Sequence, residues 1–339
     1  MRSLLVANPT AQSGKNAARI AQARQLLDAA NVAHDFVATA PGGATVALVA
    51  DALRGNAHGS AIYMGGDGTF AEVAKGILAA KRPVRLGMLP TGTANDQGKS
   101  FGLSSDEAEL ERNVQVIAAG RTCALDVGHL SAVDAGDVVI KDDLFFDSAG
   151  WGISPRVLQV RNEDRKLIEG VPLLRDLWRD QLVYAGALFR TFLASYIDDD
   201  KFDVEAELDG EIQLWPGLTD LIVKGTRIYG GAWAFDQGSL PDDGKFEVVP
   251  FTGKRDWISK ALVHLEGSGL SPEGLAKIGV THSENRSAAK IELRFRPHDG
   301  GLPLAAQIDG EEFPATPRVN IEVHPRALTL IVPEEFATT

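Results

Sequence analysis

The chain is 339 residues long, which gives room for two domains and a sizeable core. Hydrophobic residues make up 44% and charged residues 24%, an ordinary globular balance. The formal net charge of −12 excludes nonspecific nucleic-acid binding, which needs a basic face, and argues against docking on anionic lipid by bulk charge.

Ser3 to Ala7 reads as a first buried strand, followed by the polar turn Asn8-Pro9-Thr10-Ala11-Gln12-Ser13-Gly14-Lys15. The next helix is expected to bury Ala18, Ile20, Ala21, Leu26 and Leu27. His34 to Ala38 reads as a second strand and Thr45 to Leu53 as a second helix. A third strand, Ala61 to Met64, runs straight into Gly65, Gly66 and Gly68, which let a ligand approach the backbone closely. Thr69 and Glu72 then have capping-box spacing, and Phe70, Val73, Ala74, Ile77 and Leu78 repeat with helical period. Strand, glycine turn and helix N-terminus together make a phosphate site. Asp67 beside it calls for a cation between carboxylate and phosphates, most simply Mg²⁺.

Val84 to Leu89 is a fourth strand, entering Pro90-Thr91-Gly92-Thr93-Ala94-Asn95-Asp96. Strands alternating with helices imply a parallel sheet, whose ligands sit beyond the carboxyl ends of the strands. Loops 8–15, 65–69 and 91–96 are therefore expected at one edge. After about Asp126 the pattern changes to short runs of period two, among them Phe202 to Ala206, Phe246 to Val249 and Ile291 to Phe295. These predict an antiparallel β domain, with Asp209-Gly210 and Asp309-Gly310 as hairpin turns. Helices are expected at 173–196, with Trp178, Tyr184, Phe189, Phe192 and Tyr196, and from Asp256 to Leu265. The aromatics of the first fit either a core or an acyl-chain groove, as do Trp151 and Trp233. The expected division is an α/β nucleotide domain over 1–126, with a strand in 325–339 returning to it, and a β-sandwich over 127–324.

Cys123 is the only cysteine, so an internal disulfide is excluded and a reducing cytosol fits. The N-terminus is too short for a signal h-region, and no apolar run reaches the ~18 residues of a membrane span. A soluble cytoplasmic protein is expected.

Gly66-x-Gly68-x-x-Ala71 matches the dinucleotide fingerprint, but no acid lies between Glu72 and Asp96 to hold a ribose. Gly98-Lys99-Ser100 imitates the end of a phosphate-binding Walker loop, with Thr93 where its first glycine belongs. Taken alone, Gly65–Thr69 also fits a ligand-free turn, Lys15 a solvated helix residue, and Asp309 a turn residue like Asp209. Two polar glycine loops after neighbouring strands are harder to explain as packing.

Gly65-Gly66-Asp67-Gly68-Thr69-x-x-Glu72 with Pro90-Thr91-Gly92-Thr93-Ala94-Asn95-Asp96 resembles the diacylglycerol kinase catalytic-domain family. That family includes bacterial soluble lipid kinases and the sphingosine and ceramide kinases. Asn8-Pro9 with Ser13-Gly14-Lys15, Phe145 to Gly152, Tyr229-Gly230-Gly231, Leu240-Pro241-Asp242-Asp243-Gly244 and Ile308-Asp309-Gly310-Glu311 resemble further signatures in family order. The resemblance implies an ATP-dependent, Mg²⁺-using kinase with its active site between a Rossmann-like domain and a β-sandwich. Its acceptor would be diacylglycerol, ceramide, sphingosine or a similar lipid.

By the same resemblance, Asn8, Lys15, Gly65, Gly66, Asp67, Gly68, Thr69, Glu72, Thr91, Gly92, Thr93 and Asn95 bind the nucleotide. Asp243, with Leu240 and Lys245 beside it, ligates a structural Mg²⁺, and Asp67, Asp96 and Asp126 form an acidic network around the metals. Asp309 is the general base, with Glu311 close by and Asp67 as a further catalytic candidate. The lipid would be met at the inner face of the membrane, by a peripheral enzyme and possible homodimer. Lys75, Gln97, Lys99, Asp147 and Lys224-Gly225 depart from the family pattern, where Asn, Phe, Arg, Asn and Gly-Asn are usual. Two other readings are an NAD kinase-like enzyme and a nucleotide-binding regulator without catalysis.

Overall fold

The computed structural model describes residues 2–10, 15–55, 57–92, 94–155, 201–230, 235–236, 238–253, 256–257, 260, 283–298 and 304–337. The expected helix at 173–196, Trp233, Thr93, the side chain of Lys15 and most of the helix expected from Asp256 lie outside the described residues. Among those that are described, no helix is long and apolar enough to cross a membrane.

The first part of the chain alternates strand and helix as its period predicts: β1 (Arg2–Ala7), α1 (Lys15–Ala29), β2 (His34–Ala38), α2 (Ala44–Gly55), β3 (His58–Gly65), α3 (Asp67–Ala80) and β4 (Arg85–Pro90). The four strands pair in parallel in the order β2-β1-β3-β4. Being covered on both faces, β1 and β3 read as continuous apolar runs. One face packs α2 and α3 through Val49, Leu53, Phe70, Val73 and Ile77. The other packs α1 through Ile20, Ala23 and Leu27, together with Leu110, Val114 and Ile117 from later in the chain. Ala18 and Ala21, expected on the buried face of α1, are exposed. The face actually buried runs Asn16, Ile20, Ala23, Leu27, a stripe spaced by three and four that the alanine-rich sequence masks.

A short α4 (Asp96–Ser100) and α5 (Leu110–Ala119) lead to β5 (Thr122–Val133), β6 (Val139–Phe145) and β7 (Ser148–Gly152). Beyond residue 200 come β8 (Phe202–Leu208), β9 (Glu211–Leu218), β10 (Asp220–Lys224), β11 (Phe246–Phe251), β12 (Arg286–Ala288), β13 (Lys290–Pro297), β14 (Ala306–Ile308), β15 (Glu311–Phe313) and β16 (Arg318–Ile331). β13, β8 and β9 extend the first sheet through β16, and β5 and β6 branch from it. The second sheet runs β12-β11-β10-β7-β14-β15, all antiparallel.

Alternate residues of the two sheets interdigitate into one core that includes Phe145, Trp151, Val204, Leu221, Val223, Phe246, Leu293 and Ile321. The residues between them, such as Ile222 and Val249, face the other side of the second sheet. There they meet Tyr229, Phe235, Phe251 and Trp257.

β16 joins the halves. Its Val319 to His324 pair with β5, and after a left-handed corner at Arg326 its Thr329 and Leu330 pair in parallel with Arg85 and Leu86 of β4. The final strand therefore carries the antiparallel sheet into the parallel one.

Candidate functional site

Two glycine loops meet at the carboxyl ends of β3 and β4. Thr91 N–H donates to the Gly65 carbonyl at 2.7 Å, so the loops leave the sheet side by side. A Cβ built on Gly92 would lie 2.5 Å from the Gly66 Cα and 2.9 Å from Asn95 Oδ1. Only two glycines allow this backbone contact. Asn95, itself in the left-handed region at φ 51°, closes the second loop by accepting Gly92 N–H at 3.0 Å and donating to the Gly92 carbonyl. Asp67 Oδ2 accepts the Asn95 N–H at 2.9 Å and locks one loop to the other.

The capping-box expectation at Thr69 and Glu72 needs correction. α3 starts at Asp67, its N-cap is Gly66, and no side chain caps it. Thr69 instead folds back over Gly65, where a Cβ would come within 2.5 Å of its Oγ1. The helix N-terminus thus keeps its N–H groups turned toward the loop junction without a competing hydroxyl. Asn8 is occupied locally: its Oδ1 accepts the Thr10 N–H and hydroxyl, while its carbonyl takes Asn16 Nδ2 at 2.6 Å. Asn16 was not legible as a site-supporting residue. Its only signal was a polar side chain in phase with Ile20 and Ala23.

From the second sheet, the β14–β15 turn reaches this junction. Glu311 brings its Oε1 within 3.7 Å of where a Cβ on Gly68 would stand, in the first turn of α3. Asp309 sits at φ 47° and points its carboxylate inward. It accepts the N–H groups of Phe146 at 2.9 Å, Asp147 at 2.8 Å and Ser148 at 3.2 Å. Burial raises Asp309 to about 6, against those three donors and the nearby Lys75 ammonium, which all favour the charged form.

Asp147 lies beside it, fully enclosed, taking the Thr226 hydroxyl on one oxygen and Ser148 Oγ on the other. Burial first, then the charges of Asp96 and Asp309, push Asp147 well above the ordinary carboxylate range. Asp96 holds Gly230 N–H at 2.7 Å, which carries the Tyr229-Gly230 segment to the site. Asp67 is also raised, by burial, and its Oδ1 is buried with no hydrogen-bond partner. A hard cation would suit that orphan oxygen.

The expected acidic network divides in two. Asp67 and Asp96 gather with Asp147 and Asp309, whereas Asp126 belongs to a separate corner. It accepts Gly244 N–H at 2.6 Å and Arg326 N–H at 2.6 Å, and its own N–H donates to the Pro241 carbonyl at 2.7 Å. Asp242 and Asp243 stand near enough to help raise it, after burial. Asp243 Oδ1 takes the Lys245 N–H at 3.0 Å, and Leu240 is exposed at the tip. Among the described residues no three His, Cys, Asp or Glu side chains gather closely enough to hold a metal by themselves. A cation here would need backbone carbonyls or phosphate oxygens to complete its shell, and Asp243 with the loop carbonyls offers the right hard donors.

Four of the departures from the family pattern surround one segment. Gln97 Nε2 donates to the Phe146 carbonyl at 2.7 Å, and Lys75 pairs with Asp143 at 2.6 Å. Lys224 is buried near Asp147 and Glu247, with its ammonium on the carbonyls of Arg227 at 3.2 Å and Asp236 at 3.5 Å. Burial lowers the Lys224 ammonium from its ordinary value, and Glu247 and Asp147 act against that shift.

A helix-covered parallel sheet with two touching glycine loops at its edge, continued into an antiparallel β-sandwich that presents acidic residues to those loops, defines the class of fold. The structure of yeast NADH kinase complexed with NADH shares it at a TM-score of 0.51 and 9% identity, over 99% of this chain and 84% of that one. A diacylglycerol kinase from Bacillus anthracis str. Sterne superimposes more fully, at a TM-score of 0.68 and 18% identity, over 99% of this chain and 98% of that one.

Residues 2–130 match the model of the diacylglycerol kinase catalytic domain family. Across more of the chain, "Probable lipid kinase YegS-like" from Pseudomonas syringae pv. syringae (strain B728a) is 25% identical over 287 residues, 80% of this chain and 84% of that protein.

Proposed function

We propose that the protein is an ATP-dependent lipid kinase, transferring the γ-phosphoryl group of ATP to the hydroxyl of a lipid such as diacylglycerol, ceramide or sphingosine. The observation that carries this reading is the approach of Glu311 to Gly68. It sets the acidic turn of the sandwich against the helix that follows the first glycine loop. Phosphoryl transfer needs cradled phosphates, charge neutralisation and an oriented nucleophile. The names of the relatives support the lipid as acceptor.

In this reading the N–H groups at the start of α3 and of the Gly92 loop hold the phosphates. Asp67, through its free oxygen, and Asp96 hold Mg²⁺, which supplies neutralisation of the phosphate charge. A second, structural Mg²⁺ belongs to Asp243 with the Leu240 and Lys245 carbonyls, next to the Asp126 corner. Asp309, raised to about 6 and so ionised at neutral pH, accepts the proton of the lipid hydroxyl, with Glu311 orienting it. The nucleotide part is residues 1–126 with 325–339, and the acceptor part is 127–324. The site works at the inner membrane face, reached from the cytoplasm.

Labelled ATP offered with a panel of diacylglycerol, ceramide, sphingosine and related alcohols tests the proposal. Transfer to one of them supports it, and transfer to none sinks it. Transfer to NAD instead would establish the NAD kinase-like reading.

A further inference from the structure

Where β5, β6 and β16 lie side by side, the face of the first sheet turned away from the sandwich core carries two histidines from different strands. His129 of β5 and His324 of β16 bring their rings to a centre-to-centre distance of 5.5 Å, with planes tilted by 39°. The register explains the meeting. His129 stands opposite Glu322 and His324 opposite Val127, so the histidines are diagonal neighbours on one face. His324 and Glu322 are exposed and His129 is half-buried. His129, Ser131, Asn320 and Glu322 also line a groove of about 580 Å³, an approach for small solutes.

One ring is already held. His129 Nε2 lies 2.8 Å from Asp142 Oδ2, and the Ser131 hydroxyl donates to the other oxygen of that carboxylate at 2.7 Å. Burial tends to raise Asp142, but Ser131 and His129 outweigh it and hold the carboxyl below its ordinary value. An ionised carboxylate takes a donor, so Nε2 carries the proton and the lone pair of His129 is on Nδ1. Carboxylate, imidazole and metal in a row is the arrangement by which proteins fix a ligating histidine. Among the described residues the His324 ring has no hydrogen-bond partner, so either of its nitrogens can turn to the same point.

The spacing fits a shared ion. A metal ~2.0–2.1 Å from one nitrogen of each ring lies ~3.2 Å from each ring centre, and at a tetrahedral angle the two centres are then ~5.2 Å apart. The 5.5 Å observed needs little adjustment. We propose that His129 and His324 bind a borderline divalent ion of the Zn²⁺ or Cu²⁺ kind, bridging β5 and β16. The two imidazoles are its protein ligands, in keeping with the absence of any three-residue cluster among the described residues. Water fills the other positions, and Glu322, opposite His129, can turn in to replace one. Imidazole nitrogens select these ions over Mg²⁺, which prefers oxygen.

The bridge falls beside the corner that joins the two halves of the chain. His324 is the last residue of β16 paired with β5 before the register shifts ahead of Leu328. Arg326, two residues on, donates its N–H to Asp126 of β5. An ion held here fixes the two strands against separation where the antiparallel sheet passes into the parallel one.

Calorimetric titration of the full chain with Zn²⁺, in Mg²⁺ sufficient to fill oxygen sites, tests the proposal. Zn²⁺ should bind, and Cu²⁺ should bind more tightly. His129→Ala and His324→Ala should each weaken Zn²⁺ at least about 100-fold, and Asp142→Ala, which frees the ring, about 10–100-fold. His298→Ala, at a histidine paired with Asp203, should change nothing. None of the three altered site positions is buried, so melts without Zn²⁺ should match the unaltered chain. With Zn²⁺, the melting temperature of the unaltered chain should rise and that of His324→Ala should not. Absence of binding up to about 1 mM Zn²⁺ overturns the proposal. So does binding that Mg²⁺ displaces, or binding unchanged in both histidine variants.

Discussion

Asp309 and Asp209 make the same contact in two places. Each sits in the left-handed region at the start of an Asp-Gly-Glu turn, at φ 47° and 50°. Each turns its carboxylate onto backbone N–H groups of a neighbouring segment: Phe146 to Ser148 for Asp309, and Ala289 and Lys290 for Asp209. They differ in surroundings. Asp209 is exposed to solvent, whereas Asp309 is half-buried beside Asp147 and raised to about 6.

This resemblance turns the pair into an experiment. Asp309→Asn sets an amide against donors that need an acceptor, and should cost about 1–3 kcal/mol of stability. If Asp309 is also the base, turnover falls by on the order of 10²-fold or more while ATP binding barely changes. Asp209→Asn should leave turnover intact. Glu311→Gln should lower turnover without moving the melting temperature, because no backbone group among the described residues depends on its carboxylate. Parallel melts and kinetics of the three variants decide the matter. Unchanged turnover in Asp309→Asn would make it a turn residue and move the search for the base to Glu311 and Asp67.

The glycine contact gives a second expectation. Gly92→Ala places a methyl 2.5 Å from the Gly66 Cα, where backbone has to shift. The two loops must then part, breaking the Asp67–Asn95 bond and the phosphate cradle. ATP affinity measured by calorimetry should fall below detection, and Gly92→Val should do the same. Gly210→Ala, in a turn with nothing within 4 Å of its Cβ, should leave ATP affinity unchanged. An unchanged ATP titration for Gly92→Ala removes the two-loop site from consideration.

Stability should depend on pH in an unusual direction. The folded pKa of Asp309 is raised from 3.8 to about 6, so between those values the native state keeps a proton that the unfolded chain has released. Its contribution is fully present below the lower value and is lost as pH rises through the upper one. Asp67, Asp126 and Asp147 are shifted in the same direction by burial. Exposed Asp35 and Asp203, lowered by contacts with Arg2 and His298, act oppositely, and only as pH falls through the acid range. Melting temperature should therefore decline from about pH 5 to about pH 7.5, more gently in Asp309→Asn. A rise over that interval contradicts the buried acidic cluster. Turnover should climb through about pH 6 as Asp309 ionises.

Much of the fold was legible because its strongest signals are local. The apolar runs of β1, β3 and β4 and the period-two runs of β8, β11 and β13 each specify their own element. Boundaries and faces were harder. α1 is rich in alanine, so Ala18 and Ala21 looked as buried as Ala23 until packing against the sheet chose between them. Thr69 looked like a cap because spacing alone cannot reveal that its hydroxyl packs over Gly65.

The glycine loops and their acids could be named from sequence, but not their grouping. Asp67 opens α3 and Asp126 lies within β5, and neither position tells from sequence which acids it will meet. Only the Arg326 corner of β16, two hundred positions away, ties Asp126 to the loop at Gly244. The partnership of Asp147 with Thr226 and Lys224 was invisible for the same reason, since it depends on β7 lying beside β10.

That corner carries the last prediction. Asp126 joins three segments with two of its oxygens and its own N–H, while among the described residues Asp243 hydrogen-bonds only within its own loop. Asp126→Ala leaves the Gly244 and Arg326 donors unsatisfied and should cost about 2–4 kcal/mol whether or not Mg²⁺ is present. Asp243→Ala removes no contact between segments, so in the absence of a divalent cation it should melt like the unaltered chain. If Asp243 holds a structural cation, added Mg²⁺ raises the melting temperature of the unaltered chain but not of Asp243→Ala, because a ligand bound only by the native state stabilises it. Activity and Mg²⁺-dependent stability should fall together. Loss of activity in Asp243→Ala with its Mg²⁺ response intact would move this aspartate from a structural role to the chemistry itself.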